Sequence, residues 1–115
     1  MTDLDKFITA TIEALYFTDT GEDGQPSTDA ELAPETKAQL TADCASFWYR
    51  MYYYLEPANQ TPEQAGHDFW LTRNGHGAGF WDGDWPKPWD DLLTTLAKSY
   101  GEFNTYLGDD GLIYA

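Results

Sequence analysis

The chain has one cysteine, two histidines and six lysine or arginine residues against twenty aspartate or glutamate. Each shortage excludes something. A lone Cys44 can form no internal disulfide, which fits a reducing cytosol, and on a helix it reads as a small buried apolar side chain. No run of about 18 apolar residues is present and no charged-then-apolar leader opens the chain, so neither a membrane span nor a signal peptide is expected. The scarcity of cations leaves a net charge of −14 and an isoelectric point near 4.1. Such a surface repels nucleic acid and anionic lipid, so neither is an expected direct partner. It attracts basic proteins instead, including the cationic clefts that other proteins use for DNA. Plain solubility is the competing explanation of the same charge.

Aromatic residues are plentiful, at 17% of 115 residues, so a few large side chains can supply most of a core, each burying ~150–250 Å². The length predicts a single domain over residues 1–115. Residues 4–17 predict an amphipathic helix: Leu4, Phe7, Ile8, Ile12, Leu15 and Tyr16 recur at three- and four-residue spacing. Thr2 and Asp5 resemble a capping box. Residues 18–34 read as a polar loop. Asp19, Glu22 and Asp23 invite a calcium reading, but Gly21 stands at the third ligand position and Ala30 at the twelfth. Acidic charge is concentrated at this end, with nine acids and one Lys in residues 1–35.

Pro34 suits the first position of a second helix, with Glu35 near its positive end. Leu40, Cys44, Phe47, Met51 and Leu55 mark its apolar face, and Pro57 is expected to end it. The run Phe47-Trp48-Tyr49-Arg50-Met51-Tyr52-Tyr53-Tyr54 has more rings than one buried stripe needs, so some should reach the surface or a partner. Stacking on single-stranded nucleic acid is disfavoured by the net charge. Thr61-Pro62-Glu63-Gln64 reads as a capped single turn closed by Gly66. Trp85-Pro86-Lys87-Pro88-Trp89 cannot be an interior strand, because two prolines remove two backbone donors. A third helix follows on Trp89, Leu92, Leu93, Leu96 and Tyr100, terminated by Gly101. Residues 102–107 and 112–114 flank Gly108-Asp109-Asp110-Gly111, a hairpin signal.

Between these elements lies the stretch from His67 to Asp82, two aromatic flanks around Asn74-Gly75-His76-Gly77. The flanks alternate, and Asn and Gly tolerate a tight turn, so this stretch predicts a central β-hairpin. Arg73 is expected to be at least partly buried and paired with Asp68 or Asp82 across that hairpin. The resulting expectation is an α+β fold in the order α-α-β-β-α-β-β, an antiparallel sheet of two hairpins packed with about three helices.

The same stretch resembles the core of a family of small acidic proteins encoded by tailed bacteriophages and their prophages. That family shares a run close to Ala65-Gly66-His67-Asp68-Phe69-Trp70-Leu71-Thr72-Arg73-Asn74, then a Gly/His turn, then Gly79-Phe80-Trp81-Asp82. The similarity extends over nearly the whole chain, to Asp109-Asp110-Gly111. Where the family often has Arg after the last Asp, this chain has Gly83 and an added Trp85-Pro86-Lys87-Pro88-Trp89. The resemblance implies a phage origin, and the expected place of action of such a protein is the host cytoplasm. It brings no biochemical activity with it.

Two function classes follow. The first is a non-enzymatic acidic accessory protein that binds a basic host or phage protein, with DNA mimicry its sharpest form; Asp19, Glu22, Asp23, Asp29 and Glu31 would supply the acidic surface. A homo-oligomer is compatible with it. The second is a small metal-dependent enzyme or ligand-binding module centred on residues 67–84, motivated by the density of His67, Asp68, Arg73, Asn74, His76 and Asp82. The His and Asp spacing matches no known ligand pattern, and Arg73 would place a cation among the ligands. Cys44 has no His near it in sequence, and neither a nucleophile elbow nor a phosphate loop is present. No catalytic residue, metal ligand or cofactor is assigned.

Overall fold

A reciprocal cap opens α1 (Asp3–Thr18): the Asp5 carboxylate accepts from Thr2 N–H at 3.0 Å and the Thr2 hydroxyl from Asp5 N–H at 3.1 Å. The computed structural model describes residues 1–18, 30–75, 78–81 and 85–115. The middle of the expected loop, with Asp19, Gly21, Glu22 and Asp23 of its calcium reading, lies outside them. Phe7 and Leu15 of the expected stripe are fully buried, and Leu4, Ile8, Ile12 and Tyr16 flank them. The centre of the buried face, however, is made by Ala10, Thr11 and Ala14. These small residues let another helix come close.

α2 (Pro34–Met51) starts on Pro34 as expected, and Leu40, Cys44, Phe47 and Met51 are all buried. Pro57 does not end the helical path. The chain tightens into a 3-10 turn at Tyr52–Tyr54 and continues as the short α3 (Leu55–Ala58), which contains Pro57. Within a first turn the missing N–H of proline is no loss. The stop comes at Asn59, whose left-handed backbone (φ 55°) closes α3.

The central hairpin is not formed. Residues 62–73 are instead α4 (Pro62–Arg73), capped by the Thr61 hydroxyl on Gln64 N–H at 3.1 Å. The cap was legible; the length of the helix behind it was not. Ala65, Gly66, Asp68, Phe69, Trp70, Thr72 and Arg73 are all buried, so α4 is enclosed on most sides and shows no one-sided apolar stripe. Without such a stripe, aromatic and polar residues can imitate the alternation of a strand.

α4 lies against α1 at backbone distance. A Cβ on Gly66 would stand 2.5 Å from Phe7 O and 2.9 Å from Ala10 Cβ. The buried Thr11 hydroxyl sits at the crossing, 2.9 Å from Phe7 O and 3.2 Å from Gly66 O. Phe7 of α1, Phe47 of α2 and Phe69 of α4 meet in the core, with the Phe47 and Phe69 rings stacked at 4.3 Å. Phe80 and Trp85 extend this cluster.

α5 (Trp89–Lys98) follows the proline-rich segment, and Gly101 (φ 77°) takes the chain out of it. Asp90, Leu93 and Ala97 are its buried residues. The C-terminal hairpin forms as expected but is short: β1 (Tyr106–Leu107) pairs antiparallel with β2 (Ile113–Tyr114), Tyr106 opposite Tyr114 and Leu107 opposite Ile113. Ile113 also bridges in parallel to Leu32, its N–H bonding Glu31 O at 2.8 Å and its carbonyl accepting from Ala33 N–H at 3.0 Å. The described residues are thus mostly helical with one small two-stranded antiparallel sheet, an α+β arrangement with one hairpin where two were expected. No helix among them is long and apolar enough to cross a membrane.

Candidate functional site

The last turn of α4 is a clasp. The Arg73 side chain is only 2% exposed, and its Nη1 stands 3.0 Å from Asp43 Oδ2 on α2. Nε donates to Gly101 O at 2.9 Å and Nη2 to Tyr100 O at 3.1 Å, so the guanidinium also holds the carbonyls that follow α5. The rings of Phe69, Tyr100 and Phe103 lie 5.1–5.9 Å from Arg73 Cζ, within cation–π range. Asn74 completes the clasp by donating to Trp70 O at 3.0 Å and accepting from Phe103 N–H at 2.8 Å. The expectation of a buried, carboxylate-paired Arg73 agrees with this arrangement. Among the described residues the carboxylate is Asp43, thirty residues earlier in the chain, and not the expected Asp68; the other expected partner, Asp82, lies outside them. The Nη1 contact is one of charge, for this buried nitrogen has no aligned hydrogen-bond acceptor among the described residues.

Asp68 cannot be Arg73's partner, because it faces another way. Its Oδ2 accepts from the indole of Trp85 at 2.7 Å and from Gln64 at 3.2 Å, tying the proline-rich segment to α4. His67 stands beside it on α4, half-buried, where a residue preceding a strand had been expected. His76 and Asp82 lie outside the described residues. Among the described residues no three His, Cys, Asp or Glu side chains are close enough together to hold a metal ion. Cys44 is buried, and desolvation pushes its thiol up to about 12 despite the Thr11 hydroxyl and the Arg73 charge. It is a protonated core thiol, unfit as a nucleophile at neutral pH.

Above the clasp opens a cleft of about 760 Å³. One wall is a single face of α2, carrying Glu35, Gln39 and Asp43 at successive four-residue steps. The other wall is Glu102 with the rings of Tyr106 and Tyr114, which stack across the hairpin at 5.9 Å. Arg73 forms part of the floor and is the only cation among the described residues lining it, against the carboxylates of Glu35, Asp43 and Glu102. The Glu35 charge helps hold the Tyr114 phenol up, after the larger effect of the bond from Tyr114 to Asp110. Neither Glu35 nor Glu102 has an ion-pair partner among the described residues.

Sequence reasoning pointed to the 19–31 segment for acidic contacts. Asp19, Glu22, Asp23 and Asp29 lie outside the described residues, whereas Glu31 is exposed and its backbone carbonyl holds Ile113. Sequence reasoning missed Asp43 and the cleft. The four-residue spacing of Glu35, Gln39 and Asp43 was visible, but the wall facing it comes from residues 59 to 79 positions later. The aromatic surplus reaches the surface as anticipated: Tyr49, Tyr52 and Tyr53 are exposed at the end of α2, in edge contact with one another.

The fold and cleft define a small, mostly helical α+β protein with an anionic, tyrosine-walled cleft. No family model matches the chain, and no curated protein and no solved structure was found to match it.

Proposed function

We propose that this chain is a non-enzymatic acidic accessory protein of phage origin that binds a basic surface on a host or phage protein in the cytoplasm. In its sharpest form it is a DNA-mimicking inhibitor of a defence or DNA-binding protein. One observation carries the reading: the six cations do little to offset the acidic surface. Arg73 is buried in the clasp, Lys6 already pairs with Asp3, and Lys87 with Asp90 and Asp91. Outside the ion pairs among the described residues, that leaves Lys37, Arg50 and Lys98 against sixteen acids. A surface of that kind speeds encounter with a cationic partner and weakens its grip as salt rises.

Affinity purification of the tagged protein from cells that express it tests the proposal. A basic or nucleic-acid-binding protein should be recovered, should elute with salt, and should lose its DNA when the acidic protein is added. Recovery of no basic partner would overturn the proposal, and a partner that keeps its DNA throughout would remove the mimicry.

A further inference from the structure

Within that reading, we propose that the cleft above Arg73 receives an arginine side chain presented on a peptide segment of the basic partner, with Glu35 and Glu102 as its anionic walls and the Tyr106 and Tyr114 rings as its stacking face. Two observations converge on a guanidinium. The lining carboxylates outnumber the lining cation among the described residues, and Glu35 and Glu102 have no ion-pair partner there. Tyr106 is 52% exposed and stacked on Tyr114, so a flat aromatic surface borders the same space. A planar guanidinium fits both features, since its fork matches a carboxylate and its face matches a ring.

A further feature of the lining favours a peptide over a free cation. The lining also carries the exposed side-chain amides of Gln39 and Asn104, while the Arg73 floor is closed to solvent and already held by Asp43. A peptide brings backbone amides and carbonyls along with its cation, so it can meet the charge of the walls and the hydrogen-bonding capacity of Gln39 and Asn104 together. The volume, about 760 Å³, accommodates a side chain with its flanking backbone. A second copy of this chain is a poor occupant, because two surfaces of charge −14 repel.

The test is an amide NMR titration with acetyl-Gly-Arg-Gly-amide, run beside its citrulline counterpart, a neutral shape match, and its lysine counterpart. Shifts should centre on Gln39, Asn104, Tyr106 and Tyr114 with the arginine peptide and be absent with citrulline. The double variant Glu35→Gln, Glu102→Gln removes two exposed charges and should bind at least about tenfold more weakly at an unchanged melting temperature. Equal binding by the variant, or shifts spread alike over Asp3, Glu13 and Glu63, would overturn the assignment. A lysine peptide bound as tightly would overturn the choice of guanidinium. In affinity capture, equal recovery of a basic partner by parent and double variant would overturn the cleft assignment while the proposed function stood. Failure of the parent to recover any basic partner would overturn the proposed function, with the peptide titration still deciding the cleft.

Discussion

Arg73 of α4 and Asp43 of α2 stand 3.0 Å apart, and the arginine is the more deeply buried of the two, at 2% against 18% side-chain exposure. The pair joins two helices that the chain places thirty residues apart, and the same guanidinium secures the exit from α5. It therefore ties three helices together at one point. A buried charge whose partner is removed is left uncompensated, which costs far more than the intact pair contributes.

Arg73→Ala should accordingly destabilise the protein by ~3–5 kcal/mol, read from denaturant unfolding. Arg73→Lys should recover only part of the loss, because one ammonium cannot serve Asp43, Tyr100 O and Gly101 O in the geometry of a planar fork. An unchanged midpoint for Arg73→Ala would show that the clasp contributes nothing to folding.

Gly66→Ala tests the closest helix contact. The added methyl meets Phe7 O and Ala10 Cβ, both held by α1, so neither can swing aside. Overpacking of this kind costs ~1–3 kcal/mol, and the melting temperature should fall in step. A variant as stable as the parent would mean that α1 and α4 separate freely at their crossing.

Cys44 should resist alkylation in the native protein at mildly alkaline pH and react fully once unfolded. Its thiol is pushed up to about 12 chiefly by burial, so almost none is thiolate under those conditions. Mass spectrometry after iodoacetamide treatment gives the answer. Rapid native labelling would place Cys44 outside the core.

The C-terminal hairpin should be sensitive at both pH extremes. Tyr114 donates to Asp110 at 2.7 Å; this bond, with a second from Leu112 N–H, lowers the Asp110 carboxyl, and it raises the Tyr114 phenol to about 12. For Asp110, with its folded value depressed, the stabilisation is present above the usual carboxylate range and is lost as pH falls through the lowered value. For Tyr114, with its folded value raised, it is complete below the ordinary 10.0 and is lost as pH rises through about 12. Ring-carbon NMR of Tyr114 should show the late titration, and Asp110→Asn should move it down. A Tyr114 that titrates at the ordinary value in the parent would contradict the bond.

Local signals sufficed wherever an element carries its own start, stop or one-sided face. The reciprocal Thr2–Asp5 cap, Pro34 at the head of α2, Thr61 at the head of α4, the exit at Gly101 and the Gly108–Gly111 turn all act within a few residues, so the sequence alone determines them. The apolar stripes of α1 and α2 belong to the same class, because each has a wet side to contrast with its dry one. Past its cap, α4 has no such contrast: α1 covers Gly66, Trp85 meets Asp68, Phe47 meets Phe69, and the segment after α5 closes over Arg73. Helical periodicity disappears when nearly every side of a helix is buried, so only the assembled neighbours decide between helix and strand for residues 67–73. Burial of Arg73 beside a carboxylate could be anticipated from the aromatic company it keeps. The choice of Asp43 could not, since that pairing depends on where α2 crosses α4. The cleft is likewise a product of the tertiary structure, for one wall comes from α2 and the other from the last residues of the chain, and they meet only when Ile113 pairs beside Leu32.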